Sequence, residues 1–387
     1  MKHILIFSTN YLPSLGGAEI AVKEITDRIP RDQYSFSMIT ARMSRKNPAQ
    51  EVVGNISVYR VGFGIWFDKF LLPFLGMRVA RSIHSRQPIS LLWSIMASQG
   101  GIAAVRFKRV FPKMKLLLTL QEGDEETHLR RYVLGITFLY RLFIQPFYHS
   151  VFFAADSITV ISNYLKARAE RIGVQVPIIR IPNGVDVAHF ENHDSCSKEV
   201  YQGKKEGVRY LVTVSRLVEK NGVDDLISAF ALLPNTTRLV IIGTGKEYKR
   251  LLQQTMRLGV KDRVDFLGMI QHEILPCYLK DADVFVRTSR SEGLGNAFLE
   301  AMASGIPVVG TPVGGITDFL QHRVTGFIAR VGDPDDIKQK ILSALEENES
   351  RLQILNNARA LIDREYKWSV IVSRFEKEVL DKLTMGQ

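Results

Sequence analysis

Residues 289–317 read SRSEGLGNAFLEAMASGIPVVGTPVGGIT. Immediately before them, Val284-Phe285-Val286 has the unbroken apolar, β-branched character of a buried strand. Gly293-Leu294-Gly295 interrupts that run, and Asn296 to Ala303 then has helical spacing. Strand, glycine turn and helix entry follow within a few residues. A helix entry presents unpaired N–H groups and a partial positive charge, and glycines lacking Cβ allow an anion such as a diphosphate to reach the backbone. Glu292 falls at the mouth of this turn and Glu300 two helical turns later, so both can face one ligand. The simpler alternative is that Glu292 caps the helix and Glu300 is solvated. Downstream, Gly305-Ile306-Pro307 ends the helix, Val308-Val309-Gly310 forms a short buried strand, and Val313-Gly314-Gly315 supplies a second glycine turn.

The same grammar recurs across the chain. The N-terminal stretch Met1 to Asn10, with its apolar run, reads as a first strand, and the chain then passes through Gly16-Gly17 into a helical pattern from Ile20 to Ile29; taken alone, this is a tight βα turn. Further strands are expected at Ser35–Thr40, Ile56–Val61, Ile89–Trp93, Lys115–Leu120, Ser157–Ile161, Tyr210–Val214, Leu239–Ile242 and Val264–Gly268. Alternation of strands and helices predicts α/β units with parallel sheets covered on both faces. A chain of 387 residues exceeds what one core normally supports, so two domains are expected. The polar run 191–207 reads as the linker between them, giving domains 1–190 and 191–368.

Hydrophobic residues make up 46% and charged residues 24%, a globular balance. Two cysteines, Cys196 and Cys277, exclude a disulfide framework and fit a reducing, cytoplasmic compartment. The initial apolar run is too short for a signal peptide. Asp281-Ala282-Asp283 mimics a metal-binding D-x-D but ends a helix before a strand, so no metal site is expected. The net charge of +11 is asymmetric: 24 Lys and Arg stand against 13 Asp and Glu up to Asp186, and 27 against 27 beyond it. Such asymmetry points to one domain facing an anionic surface. Within the basic half, Ile65 to Leu75 and Leu142 to Ala155 are rich in aromatics, yet shorter than a membrane span and interrupted by Pro73 and Pro146. Beside Arg42, Arg45, Lys46, Arg78, Arg81 and Arg106 they read either as an interfacial, membrane-facing surface or as core helices. No nucleic-acid-binding module is present.

The stretch from Glu292 through Gly315 resembles the E-x7-E signature of the retaining glycosyltransferases of family 4, with its Gly-x-Pro-Val-Val strand and Val-Gly-Gly turn. The segments Ala155–Ser162, Ile181–Asp186, Tyr210–Gly222 and Leu239–Gly245 are similar to the family as well. The resemblance implies the GT-B architecture: two facing Rossmann-like domains with a cleft between them, and a last helix (369–387) that completes the first. It implies that Arg216 and Lys220 hold the diphosphate of a UDP- or GDP-sugar and that Glu300 binds the ribose. Glu292 would bind the sugar hydroxyls, with Gly293, Leu294, Gly295 and Asn296 supporting sugar and phosphate. Gly16 and Gly17 would lie near the donor diphosphate. No metal or other cofactor is implied. Two departures stand out. The family's R-L-x-x-x-K-G segment has Asn221 in place of its lysine, with Lys220 one position early. At the end of the Lys115–Leu120 strand, Gln121-Glu122 replaces a histidine and an acidic residue; Glu122 and Asp124 are the expected acceptor contacts. The implied function is retaining transfer of a sugar to a glycan, lipid-linked or small-molecule acceptor, above all a membrane-associated lipid-linked glycan in cell-surface polysaccharide synthesis. A sugar-nucleotide epimerase of the same fold and a soluble-acceptor transferase are the alternatives.

Overall fold

The computed structural model describes residues 1–13, 16–122, 136–191 and 206–385. The chain divides into two compact units, Met1–Asn183 with Trp368–Gln387, and Gly184–Lys367. The division comes earlier than the expected boundary at 190. The reason is local: Phe190, in the short helix Val187–Glu191, is fully buried with its ring 5.5 Å from His272, so this segment packs with the second unit.

The first unit is an eight-stranded sheet in the order β3-β4-β2-β1-β5-β6-β7-β8. Its strands are β1 (Lys2–Phe7), β2 (Tyr34–Ala41), β3 (Gln50–Val53), β4 (Ile56–Val61), β5 (Leu91–Ile95), β6 (Lys115–Leu120), β7 (Ser157–Val160) and β8 (Ile178–Arg180). Only β3 runs antiparallel, at the edge. On one face, Ile4, Ile6, Met38 and Trp93 meet Val22 and Ile25 of the helix Gly17–Arg28 and Ile371 and Phe375 of the C-terminal segment. Trp93 lies 4.9 Å from Phe375, and its Nε1 donates to Thr119 Oγ1 at 2.8 Å, so the largest core side chain leaves no polar atom unpaired. Ile39 alternates to the other face, where Gly76 of the helix Asp68–Arg86 comes so close that an added Cβ would lie 3.3 Å from it.

The second unit is a fully parallel six-stranded sheet, β11-β10-β9-β12-β13-β14. It comprises β9 (Arg209–Val214), β10 (Thr237–Ile242), β11 (Val264–Gly268), β12 (Val284–Arg287), β13 (Val308–Gly310) and β14 (Phe327–Ile328). Renumbered from its own start the order is 3-2-1-4-5-6, the doubly wound arrangement whose strand order reverses between β9 and β12. Leu211, Ile241, Val284 and Val286 pack under Leu226 and Phe230 of the helix Val223–Ala231 and Ile337 of the helix Pro334–Leu345. Beneath the other face, Phe285, Phe298, Phe319 and Tyr366 form a chain of rings at 5.2, 5.8 and 6.1 Å. A Cβ on Gly310 would meet Phe298 at 2.6 Å, so this glycine lets the helix Asn296–Ala303 sit directly on β13. Three short edge strands, β3, β8 and β14, were not anticipated from the sequence pattern.

Among the described residues no helix is long and apolar enough to cross a membrane. Cys277 is disulfide-bonded, a state that the expected reducing compartment would not favour.

Candidate active site

In an open doubly wound sheet ligands gather outside the carboxyl ends of the strands where the order reverses, here at the ends of β9 and β12. From β9 the chain runs through Ser215 and the exposed Arg216 into a 3-10 turn, Glu219–Asn221, that ends at Gly222 with φ 62°. Asn221 is 3% exposed and donates from Nδ2 to Arg216 O at 2.6 Å. It therefore pins the loop and points inward, whereas Lys220 is half-buried. From β12 the chain continues through Thr288 to Glu292 and clamps onto that loop. Thr288 Oγ1 donates to Gly222 O at 2.7 Å, Arg290 N to Lys220 O at 2.7 Å, and Arg290 Nη1 to Glu219 O at 2.9 Å. Arg290 Nη2 also bridges Asp224 and Asp225 at 3.0 and 2.8 Å. Burial raises both carboxyls, but Arg290 and Arg250 pull Asp224 below its ordinary value, while Asp225 stays above it.

The glycines explain why these loops can touch. A Cβ on Gly222 would fall 2.0 Å from Thr288 O, and one on Gly314 would fall 1.8 Å from Glu292 O. Gly314 also has φ 54°. The second glycine turn thus closes over the backbone of Glu292, and Gly315 N donates to Glu292 O at 3.3 Å. The helix Asn296–Ala303 is entered through Gly295 with φ 100°. Glu292 and Glu300 are each 18% exposed, and they have different partners. Glu292 pairs with Arg287, the last residue of β12. Glu300 Oε1 lies 3.7 Å from His272 Nε2, and the His272 ring stacks on His189 at 5.1 Å. Arg287 and His272 carry no glycine turn or family motif, so sequence reasoning missed both.

With this geometry the comparisons are unambiguous. Residues 15–189 match the family described as Glycosyltransferase Family 4, and residues 198–361 the one described as Glycosyl transferases group 1. The chain belongs to glycosyltransferase family 4. It is 25% identical over 381 residues to N-acetyl-alpha-D-glucosaminyl L-malate synthase of Bacillus anthracis, covering 96% of this chain and 95% of that one. It is 29% identical over 234 residues to a GDP-mannose-dependent alpha-(1-6)-phosphatidylinositol monomannoside mannosyltransferase of Mycobacterium tuberculosis, covering 57% and 60%. Sucrose-phosphate synthase from Thermosynechococcus elongatus superposes with a TM-score of 0.83 at 19% identity, covering 99% of each chain. The fold is GT-B, and the enzyme is a glycosyltransferase.

In this glycosyltransferase the first unit has its own reversal, between β1 and β5. Gly16 caps the helix Gly17–Arg28, and a Cβ on it would meet Glu19 Oε2 at 2.4 Å. Burial, with the charge of Glu122 as a smaller contribution, pushes the Glu19 carboxyl above its ordinary value. The charge of Glu122 is thus felt at Glu19, which is a site candidate that the sequence reading passed over. Gln121 does not point freely outward. It exchanges hydrogen bonds with Asn183, at 3.1 and 3.0 Å, in a buried amide pair. Thr9 Oγ1 donates to Ser98 Oγ at 2.8 Å and accepts from Gly100 N at 3.1 Å, tying the end of β1 to the helix Gln99–Val110. Asp124 lies outside the described residues.

Proposed function

We propose that this enzyme moves a sugar from a nucleoside-diphosphate donor to an acceptor carried by a membrane lipid, with retention of the anomeric configuration. The observation that carries the donor half is the contact, at the ends of β9 and β12, between the loop bearing Arg216 and Lys220 and the turn bearing Glu292, beside a helix entry. Arg216 and Lys220 hold the diphosphate, Glu300 the ribose, and Glu292 the sugar hydroxyls. The backbone N–H groups of Gly293 to Asn296 support sugar and phosphate, and the family resemblance adds Gly16 and Gly17 as donor contacts. The bond from the anomeric carbon to the phosphate oxygen breaks as the acceptor hydroxyl attacks on the same face, and the acceptor's proton passes to the departing phosphate. Cations aimed at that phosphate stabilise the charge as it develops, so the scheme needs no metal. Glu122, with Glu19 beside it, faces the acceptor.

The lipid half of the reading rests on the first unit's surface. Phe63, Trp66, Phe67 and Phe74 are 68, 59, 50 and 59% exposed. The loop bearing the first three is held by buried Asp68, whose Oδ2 accepts from Gly64 N and Ile65 N at 2.7 and 3.1 Å, and Phe74 lies on the helix that follows. Lys69 Nζ lies 4.3 Å from the Trp66 ring and Arg106 stacks 4.4 Å from Phe74. Exposed aromatics interleaved with cations suit the interface of an anionic bilayer, which supports a peripheral position on the membrane, on its cytoplasmic face in this reading. The mycobacterial relative's lipid acceptor supports this, while the L-malate synthase supports a soluble acceptor. The test is a panel of UDP-, GDP- and dTDP-sugars with and without vesicles of bacterial lipid. Lipid-dependent glycoside formation with retained configuration upholds the proposal. Transfer only to soluble acceptors moves it to the second reading, and donor epimerisation without transfer removes it.

A further inference from the structure

Asn221 stands where the family segment resembled here has a lysine, and a buried amide supplies no charge to a diphosphate. The guanidinium of Arg287 lies beside Asn221. Its Nη2 lies 3.5 Å from Asn221 Oδ1 and pairs with Glu292, and its Nε donates to Ser289 Oγ at 3.2 Å. Nη1 has no hydrogen bond among the described residues, so it keeps donors that a ligand can take. Arg287 is 11% and Glu292 18% exposed by side chain. Placing an ion pair in so dry a position costs desolvation that the attraction barely offsets, so as a device for stability alone it contributes little. As a preorganised cation it contributes more: Glu292 and Ser289 fix the plane of the guanidinium, leaving a forked pair of donors to meet phosphate oxygens.

We propose that Arg287 is a donor-binding residue that supplies, from the end of β12, the diphosphate-directed charge that Asn221 lacks. Glu292 then has two partners, Arg287 and the sugar. This rests on the donor reading above and adds a residue to it. The alternative is a strut that merely braces the loop 288–292.

Discrimination between nucleoside diphosphate and monophosphate separates the two, because a strut affects both nucleotides alike. Binding of UDP, GDP, UMP and GMP should be measured by calorimetry on the full chain and its variants, alongside thermal melting. Wild-type protein is expected to prefer the diphosphate. Arg287→Met is expected to lose about tenfold of diphosphate affinity with little change for monophosphate, and Asn221→Lys combined with Arg287→Met is expected to regain most of it. If Arg287→Met does not fold, Arg287→Gln, which keeps N–H donors toward Glu292, is expected to show the same loss. An unchanged diphosphate preference in a folded Arg287 variant overturns the proposal, as does equal weakening toward both nucleotides. A wild-type protein that binds none of the four nucleotides overturns the donor reading itself, and this proposal with it.

Discussion

At the carboxyl end of β12 an arginine faces a glutamate; at the carboxyl end of β6 a glutamine faces an asparagine. Both positions flank the region where strand order reverses in their own unit, and both are largely buried. In the second unit charged groups are paired there, Arg287 with Glu292 and Arg290 with Asp224 and Asp225, and the His272 ring lies 3.7 Å from Glu300. In the first unit the described groups include the amide pair Gln121–Asn183 and the hydroxyls of Thr9 and Ser98, beside the charged Glu19, Glu122 and Arg168, whose Nη1 donates to Glu122 O at 3.3 Å. Fixed opposite charges are suited to a charged ligand of constant shape, since their cost in desolvation is regained only when the partner arrives in one geometry. Neutral groups that both donate and accept suit hydroxyl-bearing molecules. The contrast matches a donor site in one unit and an acceptor site in the other.

The sharpest way to break that contrast is to remove charge from the second unit. Arg216→Ala and Glu300→Ala are each expected to lower kcat/KM for the donor by about tenfold or more, while leaving vesicle binding unchanged. Wild-type kinetics in both would dissolve the site. Glu292→Gln is expected to lower turnover more than nucleotide affinity, which steady-state kinetics beside calorimetry resolves. Lys220→Ala is expected to reduce activity well beyond Asn221→Ala; matched small effects would leave the diphosphate to the arginines.

The corresponding change in the first unit is Trp66→Ser with Phe67→Ser. Because both rings are more than half or half exposed, the melting temperature is expected to hold while sedimentation with anionic vesicles falls. Salt is expected to release the wild type, each basic contact contributing about 1 kcal/mol at most. A large drop in melting temperature instead would place these rings in the core.

Smaller in effect is Gln121→Ala. It removes the Gln121 side of the buried amide pair with Asn183, at a cost of about 0.5–1.5 kcal/mol, and denaturant melts should register it in the first unit alone. The smallest is Glu19→Gln. Because the folded carboxyl titrates above its ordinary value, the folded state holds its proton more tightly than the unfolded chain does. Stability is therefore lost as pH rises from the ordinary value through the folded one. The glutamine variant should thus melt higher than wild type near neutral pH, and the difference should vanish in acid. A gain that persists at low pH would mean that Glu19 is not the group responsible.

Much of this was legible in the chain. The stretch from Val284 to Gly315 announced its strand, turn, helix and second turn because each is encoded by local rules: β-branched runs for strands, glycines where φ is positive, and helical spacing after Asn296. β4 and β6 have the bounds the pattern predicts, β6 because it is a nearly continuous apolar run and β4 because its apolar residues Ile56, Val58 and Val61 are buried. The missed strands are short and lie at or next to sheet edges. β3 is half exposed and β14 has two residues, so neither carries a periodic signal long enough to read.

The sequence by itself determined the parallel α/β layering, the family, and the places of Glu292 and Glu300 on their turn and helix, because all of these follow from neighbours within a few residues. Only the tertiary structure decided what those carboxylates meet. Arg287 reaches Glu292 because β12 and the turn after it bend back on the loop from β9. His272 reaches Glu300 from the segment after β11, and Asn183 finds Gln121 across 62 positions. Such pairings depend on strand order and on the close backbone approaches that Gly222 and Gly314 allow. No local propensity encodes which side chains a folded sheet will bring together.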